Sequence, residues 1–389
     1  MEVALYIHIP FCASKCSYCD FYSLACRDIP AWYINRLEEE FFFRIKQSNI
    51  KKIKSLYFGG GTPSYLLQNP VLKQALSSFF SKIKPFLSFD AECSFECNPD
   101  DISEEACIFL KSLGINRISL GIQSFNNTKL AFLNRRSSKA INEKALSIIQ
   151  KAGFSHFSAD LISGLAPLGK NFKTEATELY EAIDKLISFG VDHVSLYSLI
   201  VSPGTLLEKQ LEENPSLFDE ALSEKLWIGG RDYLEKKGFM QYEVSNFSLP
   251  GCESQHNLCY WDMETYLGLG AGATGSLFLP DGKTLRYENT EDLEAYKNRD
   301  FLESQETECI EKKDAIFEYL MMGFRKNAGI SASVFSKRFS ESIESYIEPH
   351  FSNWEKKSLA KKRQEGSEIY YALTKKGLLF LNQFLEALL

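Results

Sequence analysis

The chain has 389 residues, a net charge of −7, 44% hydrophobic and 24% charged residues, a balance that suits one large α/β domain plus a smaller one. Its acidity argues against a nucleic-acid partner, which asks for a basic face, and no apolar run approaches the ~20 residues of a membrane span. Ten cysteines behind a start without a basic secretory leader point to a reducing, cytoplasmic setting in which thiols serve metals rather than disulfides.

In chain order, an apolar run at residues 5–9 predicts a first strand, and a loop with Cys12, Cys16 and Cys19 follows it. Three thiolates in C-x3-C-x2-C spacing can address one soft inorganic centre. A four-iron cluster takes one cysteine per iron, so three leave one iron open to a small molecule, the arrangement radical S-adenosylmethionine (SAM) proteins use. The competing readings are a zinc knuckle, which lacks its downstream cysteine pair, and buried free cysteines, which three in one loop suit poorly. The other seven cysteines (26, 93, 97, 107, 252, 259 and 309) are scattered and read as packing residues, with Cys107 and Cys309 in helical patterns.

Further strands are expected at residues 55–58, 93–96, 117–122, 157–162 and 193–199, with a short seventh at 241–244. Helical patterns fall between them at 30–46, 70–84, 103–113, 138–152 and 172–189. Repeated βα units call for a parallel sheet covered by helices, and six are short of a closed eight-unit barrel. An α/β partial (β/α)6 barrel is therefore expected over 1–250. Residues 251–311 read as a glycine loop and hairpin, and 312–389 as a smaller, mainly helical, winged-helix-like domain.

Polar residues gather at the carboxyl ends of the strands, the rim on which barrel-like folds build sites. The Gly59-Gly60-Gly61-Thr62-Pro63 run lacks the ending of a phosphate-binding P-loop, and its glycines allow close backbone approach to a ligand. It is alternatively a tight turn. Glu96, Gln123, Arg135 and Asp160 need partners if buried; the carboxylates suit hydroxyls or an ammonium, and the guanidinium suits a carboxylate. Gly270-Ala-Gly272-Ala-Thr-Gly275 matches G-x-G-x-x-G, but the flanks are a poor strand and a poor helix start, so a dinucleotide site is rejected. His256 stands beside Asn257, Tyr260 and Trp261. Imidazole near flat aromatics suits an axial heme site, and a hydrogen bond to backbone near the glycine loop is the plainer role.

The segments Tyr6-Ile-His-Ile-Pro-Phe-Cys12, Cys16-Ser-Tyr-Cys19-Asp-Phe21, Gly59 to Pro63, Ser119-Leu-Gly-Ile-Gln123 and His256-Asn-Leu-Cys-Tyr-Trp261 together resemble the radical-SAM family of anaerobic coproporphyrinogen III oxidases, and within it the heme-chaperone subfamily. The resemblance implies a [4Fe-4S] cluster on Cys12, Cys16 and Cys19, and SAM contacts at Tyr6, Tyr18, Gly60, Gly61, Thr62, Glu96, Gln123, Arg135 and Asp160. It implies heme binding by His256, Asn257, Tyr260 and Trp261, with His256 as a candidate iron ligand. Heme would pass to an acceptor apo-hemoprotein, a respiratory cytochrome being one candidate. The decarboxylating oxidases carry a further cysteine two residues past the third ligand, where this chain has Phe21, and a longer N-terminal extension. The expected function is thus heme delivery, with oxygen-independent coproporphyrinogen III oxidation as the alternative.

Overall fold

The computed structural model describes residues 1–164 and 171–388. Strand β1 (Glu2–Ile9) is followed in the sheet by β2 (Lys52–Gly60), β3 (Leu87–Cys97), β4 (Arg117–Gln123), β5 (His156–Ser163) and β6 (His193–Ser198), all parallel and in chain order. This is the expected six-unit partial barrel. Helices α1 (Trp32–Gln47), α2 (Pro70–Ile83), α3 (Glu104–Leu113), α4 (Lys139–Ala152) and α5 (Phe172–Ser188) follow the first five strands. The sixth strand is followed by α6 (Glu220–Lys236), which the sequence reading passed over. Side chains of Asn69, Ser103, Ser138, Asn171 and Asp219 accept amide hydrogen bonds at the starts of α2 to α6, satisfying donors that a helix start leaves open.

Successive strand residues point to opposite faces, and this sheet divides apolar packing from chemistry by that rule. Val3, Leu5, Ile7 and Ile9 of β1, Phe95 of β3, and Ile118, Leu120 and Ile122 of β4 enter the buried core with Leu37, Phe41, Leu76 and Leu110 of the helices. The alternate residues, including Tyr6, Tyr57, Glu92, Glu96, Arg117 and Asp160, line the barrel interior. Burying one fully apolar strand residue contributes about 1.5–3 kcal/mol, so the helices are held by the outward set and the inward set is free to be polar.

Beyond β6 the sheet continues differently from expectation. In place of a strand at 241–244, β7 (Met240–Gln241) and β8 (Asn246–Ser248) form, with β8 antiparallel to β6. On the other side of β1 lies β9 (Tyr266–Leu269), parallel to it. Its glycine-broken run hid it: a Cβ on Gly268 would meet the Thr274 carbonyl oxygen at 2.1 Å, so close approach of chains requires glycine inside this strand. An antiparallel meander of β10 (Thr274–Phe278), β11 (Thr284–Asn289) and β12 (Gln305–Ile310) completes the order β12-β11-β10-β9-β1-β2-β3-β4-β5-β6-β8-β7. Cys309 lies exposed in β12 rather than in a helix.

The G-x-G-x-x-G segment is tied down by a buried ion pair. Glu40 and Arg44 of α1 are 0% and 1% exposed, with Arg44 Nη2 donating to Glu40 Oε1 at 3.1 Å and to Asn289 Oδ1 at 2.9 Å. Glu40 Oε2 accepts from the Gly270 amide at 2.9 Å. Gly270 has φ +105°, and a Cβ there would meet the His8 carbonyl at 2.5 Å. The loop is a packing joint; contrary to the expectation of a poor strand before it, β9 ends at Leu269, while a strand rather than a helix follows it at Thr274–Phe278.

Helix α7 (Gln255–Trp261) lies between β8 and β9 in the chain, and α8 (Lys312–Gly323) opens the C-terminal unit. There β13 (Ile330–Ser331), β14 (Ala360–Glu365) and β15 (Glu368–Leu373) pair in the order β13-β15-β14 around helices that bury Phe335, Phe351 and Phe384. Strand, helices and hairpin make the expected winged-helix-like unit. No described helix is long and apolar enough to cross a membrane.

Candidate functional site

A cavity of about 320 Å³ opens at the carboxyl ends of the parallel strands, and Cys12, Cys16 and Cys19 all line it. The loop that carries them is closed at its base by pairing of Phe11–Cys12 with Leu24–Ala25. Its middle is docked by the Ser17 amide and hydroxyl, which donate to the Leu133 and Phe132 carbonyls at 3.0 Å each. Thr62 Oγ1 donates to Cys12 Sγ at 3.3 Å, and Arg135 Nη1 to Cys16 Sγ at 3.5 Å. Burial pushes the Cys12 and Cys19 thiols up, against hydrogen bonds from Thr62 and Ser23 to the first and from the Phe21 backbone to the second. Sulfurs at a cavity floor, one buried and two half-buried, flanked by donors fit an iron centre, whose positive charge supplies what the thiolates need.

Of the nine residues expected at SAM, Tyr18, Gly60, Gly61, Thr62, Glu96, Gln123, Arg135 and Asp160 line this same cavity. Tyr6 does not; it lies a layer deeper, its hydroxyl donating to His8 Nδ1 at 3.0 Å. Gly60, at φ +107°, brings the backbone over the His8 ring, where a Cβ would sit 2.4 Å from Cε1. The Gly60 amide donates to Glu96 Oε2 at 3.2 Å and the Tyr57 hydroxyl to Oε1 at 2.7 Å. Burial raises Glu96 to about 7 in spite of the Tyr57 bond, with Asp160 adding to the rise. Asp160 is raised to about 6 by burial, opposed by Ser195 and Arg135. These neighbouring carboxyls leave a place for a cationic or hydroxyl-bearing ligand, which would stabilise their charged forms.

Gln123 adopts φ +63° at the end of β4, where the pairing to β5 slips. Such a conformation costs a non-glycine residue of order 1–3 kcal/mol and gathers at ligand sites. Asn98 was missed in the sequence: its Oδ1 accepts from Arg135 Nη2 at 2.8 Å and its Nδ2 donates to Thr62 Oγ1 at 3.3 Å. It joins the two groups that face the sulfurs, and only its position after β3 hinted at this. Phe21 stands at the cavity mouth, 64% exposed.

Helix α7 is seated on the opposite end of the barrel interior by the buried Glu92–Arg117 pair, 2.9 Å apart. Glu92 accepts from the amides of Gln255 at 3.1 Å and His256 at 3.0 Å, while Arg117 Nη2 donates to the Cys252 and Glu253 carbonyls at 2.9 and 3.1 Å. A carboxylate at a helix start is favourably placed for its free amides. His256 is 1% exposed and stacks on Tyr57 at 5.0 Å between ring centres. Its Nδ1 is hydrogen-bonded to the Ser55 hydroxyl at 3.0 Å and its Nε2 to the Tyr260 hydroxyl at 2.9 Å. Burial, with the Lys54 charge adding, lowers it to about 3, so the ring is neutral. Asn257, Tyr260 and Trp261 instead line a second cavity of about 730 Å³, which adjoins the first at Tyr197; His256 does not line it.

Comparison with known proteins agrees with both halves of the chain. The Radical SAM superfamily profile matches residues 6–171, and the HemN C-terminal domain profile residues 310–380. Heme chaperone HemW of Lactococcus lactis is 35% identical over 87% of this chain and 86% of the relative. Those of Escherichia coli and Bacillus subtilis are each 32% identical, over 100% and 99% of this chain and 98% of each relative. The solved structure of coproporphyrinogen III oxidase (HemN) from Escherichia coli, a radical SAM enzyme, matches with a TM-score of 0.79 at 20% identity, over 100% of this chain and 90% of that one, and shows the shared fold. The chain belongs to the heme chaperone HemW family of radical SAM proteins.

Proposed function

We propose that this protein is a cytoplasmic heme chaperone that binds heme, a [4Fe-4S] cluster and SAM, and delivers heme to an acceptor apo-hemoprotein. Cys12, Cys16 and Cys19 would hold the cluster, whose open iron offers a site for the amino and carboxylate groups of SAM. Gly60, Gly61 and Thr62 would border the ligand with backbone, while Glu96, Asp160, Gln123 and Arg135 would pair with its polar groups. The observation that carries the heme reading is the second cavity: Asn257, Tyr260 and Trp261 of α7 all line it, and its volume lies within the ~300–1,000 Å³ of ligand pockets. His256 remains the candidate iron ligand of the motif, on the condition that Nε2 exchanges the Tyr260 hydroxyl for iron.

The test is anaerobic reconstitution of cluster, followed by ferric heme in one assay and coproporphyrinogen III with SAM and reductant in another. Stoichiometric heme binding, transfer to an added apo-cytochrome and no release of carbon dioxide are expected. Steady carbon dioxide release from the propionates would replace this reading with the oxidase.

A further inference from the structure

The second cavity occupies the gap that a partial barrel leaves between its two sheet edges. Tyr197 of β6 and Asn246 of β8 wall one side; Tyr266, Phe278 and Arg286 of the β9–β11 region wall the other. Met321 and Met322 of α8, with Arg325 just after it, close it from the C-terminal unit. The wall is thus aromatic and thioether in character, with two guanidinium groups and the carboxyls of Glu243 and Glu318.

The two arginines differ in their partners. Arg286 is held by Glu318, with Nη1 to Oε1 at 3.2 Å and Nη2 to Oε2 at 2.8 Å. Arg325 donates from Nη1 to the Met321 carbonyl at 2.6 Å and forms no ion pair within 4.0 Å among the described residues. A guanidinium carries five donors in a planar fork matched to a carboxylate; Arg325 is half-buried, and the Glu243 carboxyl on the same wall acts on its charge without reaching it as a contact pair. One donor on the same wall is unmet: Trp261 Nε1 is buried and has no hydrogen-bond partner among the described residues. An unmet indole N–H and a guanidinium without a contact anion, in a largely apolar cavity, suit a flat apolar ligand with an anionic edge.

We infer that this gap is the heme seat and that Arg325, from the C-terminal unit, binds a heme propionate, with the Trp261 indole N–H as a further donor to the carboxylate edge. This rests on the heme-binding reading above. It gives the C-terminal unit a part in holding cargo: α8 would have to stay on the barrel for heme to be retained, and its withdrawal would release one propionate.

The experiment titrates the full chain with ferric heme and with ferric heme dimethyl ester, whose propionates are uncharged. Arg325→Gln should raise the heme Kd roughly ten- to a hundred-fold, the range for loss of a hydrogen bond to a charged group, and leave the ester Kd unchanged. Arg325→Lys should recover part of the loss, and Trp261→Phe, which keeps the aromatic face, should weaken heme more than ester. Unchanged heme affinity in Arg325→Gln would overturn the assignment while leaving heme binding intact. Equal weakening of heme and ester with no recovery in Arg325→Lys would also overturn it, by showing a packing role. Failure of the unsubstituted protein to bind heme would instead remove the functional reading beneath it.

Discussion

Replacing Arg117 with Met tests whether the Glu92–Arg117 pair is what seats α7 in the barrel. Arg117 is 2% exposed and Glu92 6%, so solvent does little to screen their interaction. The substitution leaves the Glu92 carboxylate buried without its cation, a change that costs about 3–5 kcal/mol. It also strips donors from the Ser158 hydroxyl at 3.1 Å and from the carbonyls of Cys252 and Glu253. Three donors from residues 254–256 remain on Glu92 and soften the loss. The net expectation is about 4 kcal/mol, a large share of the ~5–15 kcal/mol that domains have. Urea unfolding followed by tryptophan fluorescence measures it, with Glu92→Gln and the double variant completing a cycle whose coupling should reach about 2 kcal/mol. In the folded state heme affinity should fall while the iron–sulfur absorbance stays, because the cysteine loop is anchored elsewhere. A loss below about 1 kcal/mol, or cluster loss in step with heme loss, would refute the reasoning.

Substituting Ser for Cys12, Cys16 or Cys19 should abolish the broad visible absorbance of the cluster, whereas Ser at Cys107 or Cys309 should leave it; equal loss from both groups would mean a different ligand set. Glu96 and Asp160 keep protons in the folded state that the unfolded chain, with carboxyl values near ~4, has released. Their contribution to ligand-free stability is therefore full below about pH 4 and lost as the pH rises through about 6 for Asp160 and about 7 for Glu96. Glu96→Gln and Asp160→Asn should flatten that decline in melts run across the range, and an unaltered profile would contradict the assignment. His256→Ala should weaken or shift the Soret band of added heme with the cluster intact; an unchanged spectrum with lowered thermal stability would take His256 out of the ligand set.

The parts legible in the sequence were those with local signals. Alternation along β1 to β6, the amphipathic patterns of α1 to α5 and the tight cysteine spacing all act over a few residues. Depth was not legible: Tyr6 and Glu96 both face the barrel interior, yet only Glu96 reaches the cavity, because strand register rather than residue type decides the layer. Pairings across long stretches of chain were equally hidden. Nothing in residues 312–325 announces that Arg325 will meet Trp261 across one cavity, and nothing near Gly270 announces Glu40. Glycine at 268 lowered the strand signal of β9 at the point where close packing demanded it.

Strand β1 has a consequence for synthesis. Its Tyr6 stands between Tyr57 on one side and Gly268 on the other, so its partners emerge about 50 and about 260 residues after it. At ~5–20 residues per second, the interval before the second partner exists is roughly 13–50 s. Throughout that time the first strand made presents one row of amides and carbonyls with no mate, the kind of open edge that recruits foreign strands. Ribosome-bound chains halted before residue 266 should therefore depend on holding factors, and chains halted far enough past residue 289 for β9 to β11 to have left the tunnel should not.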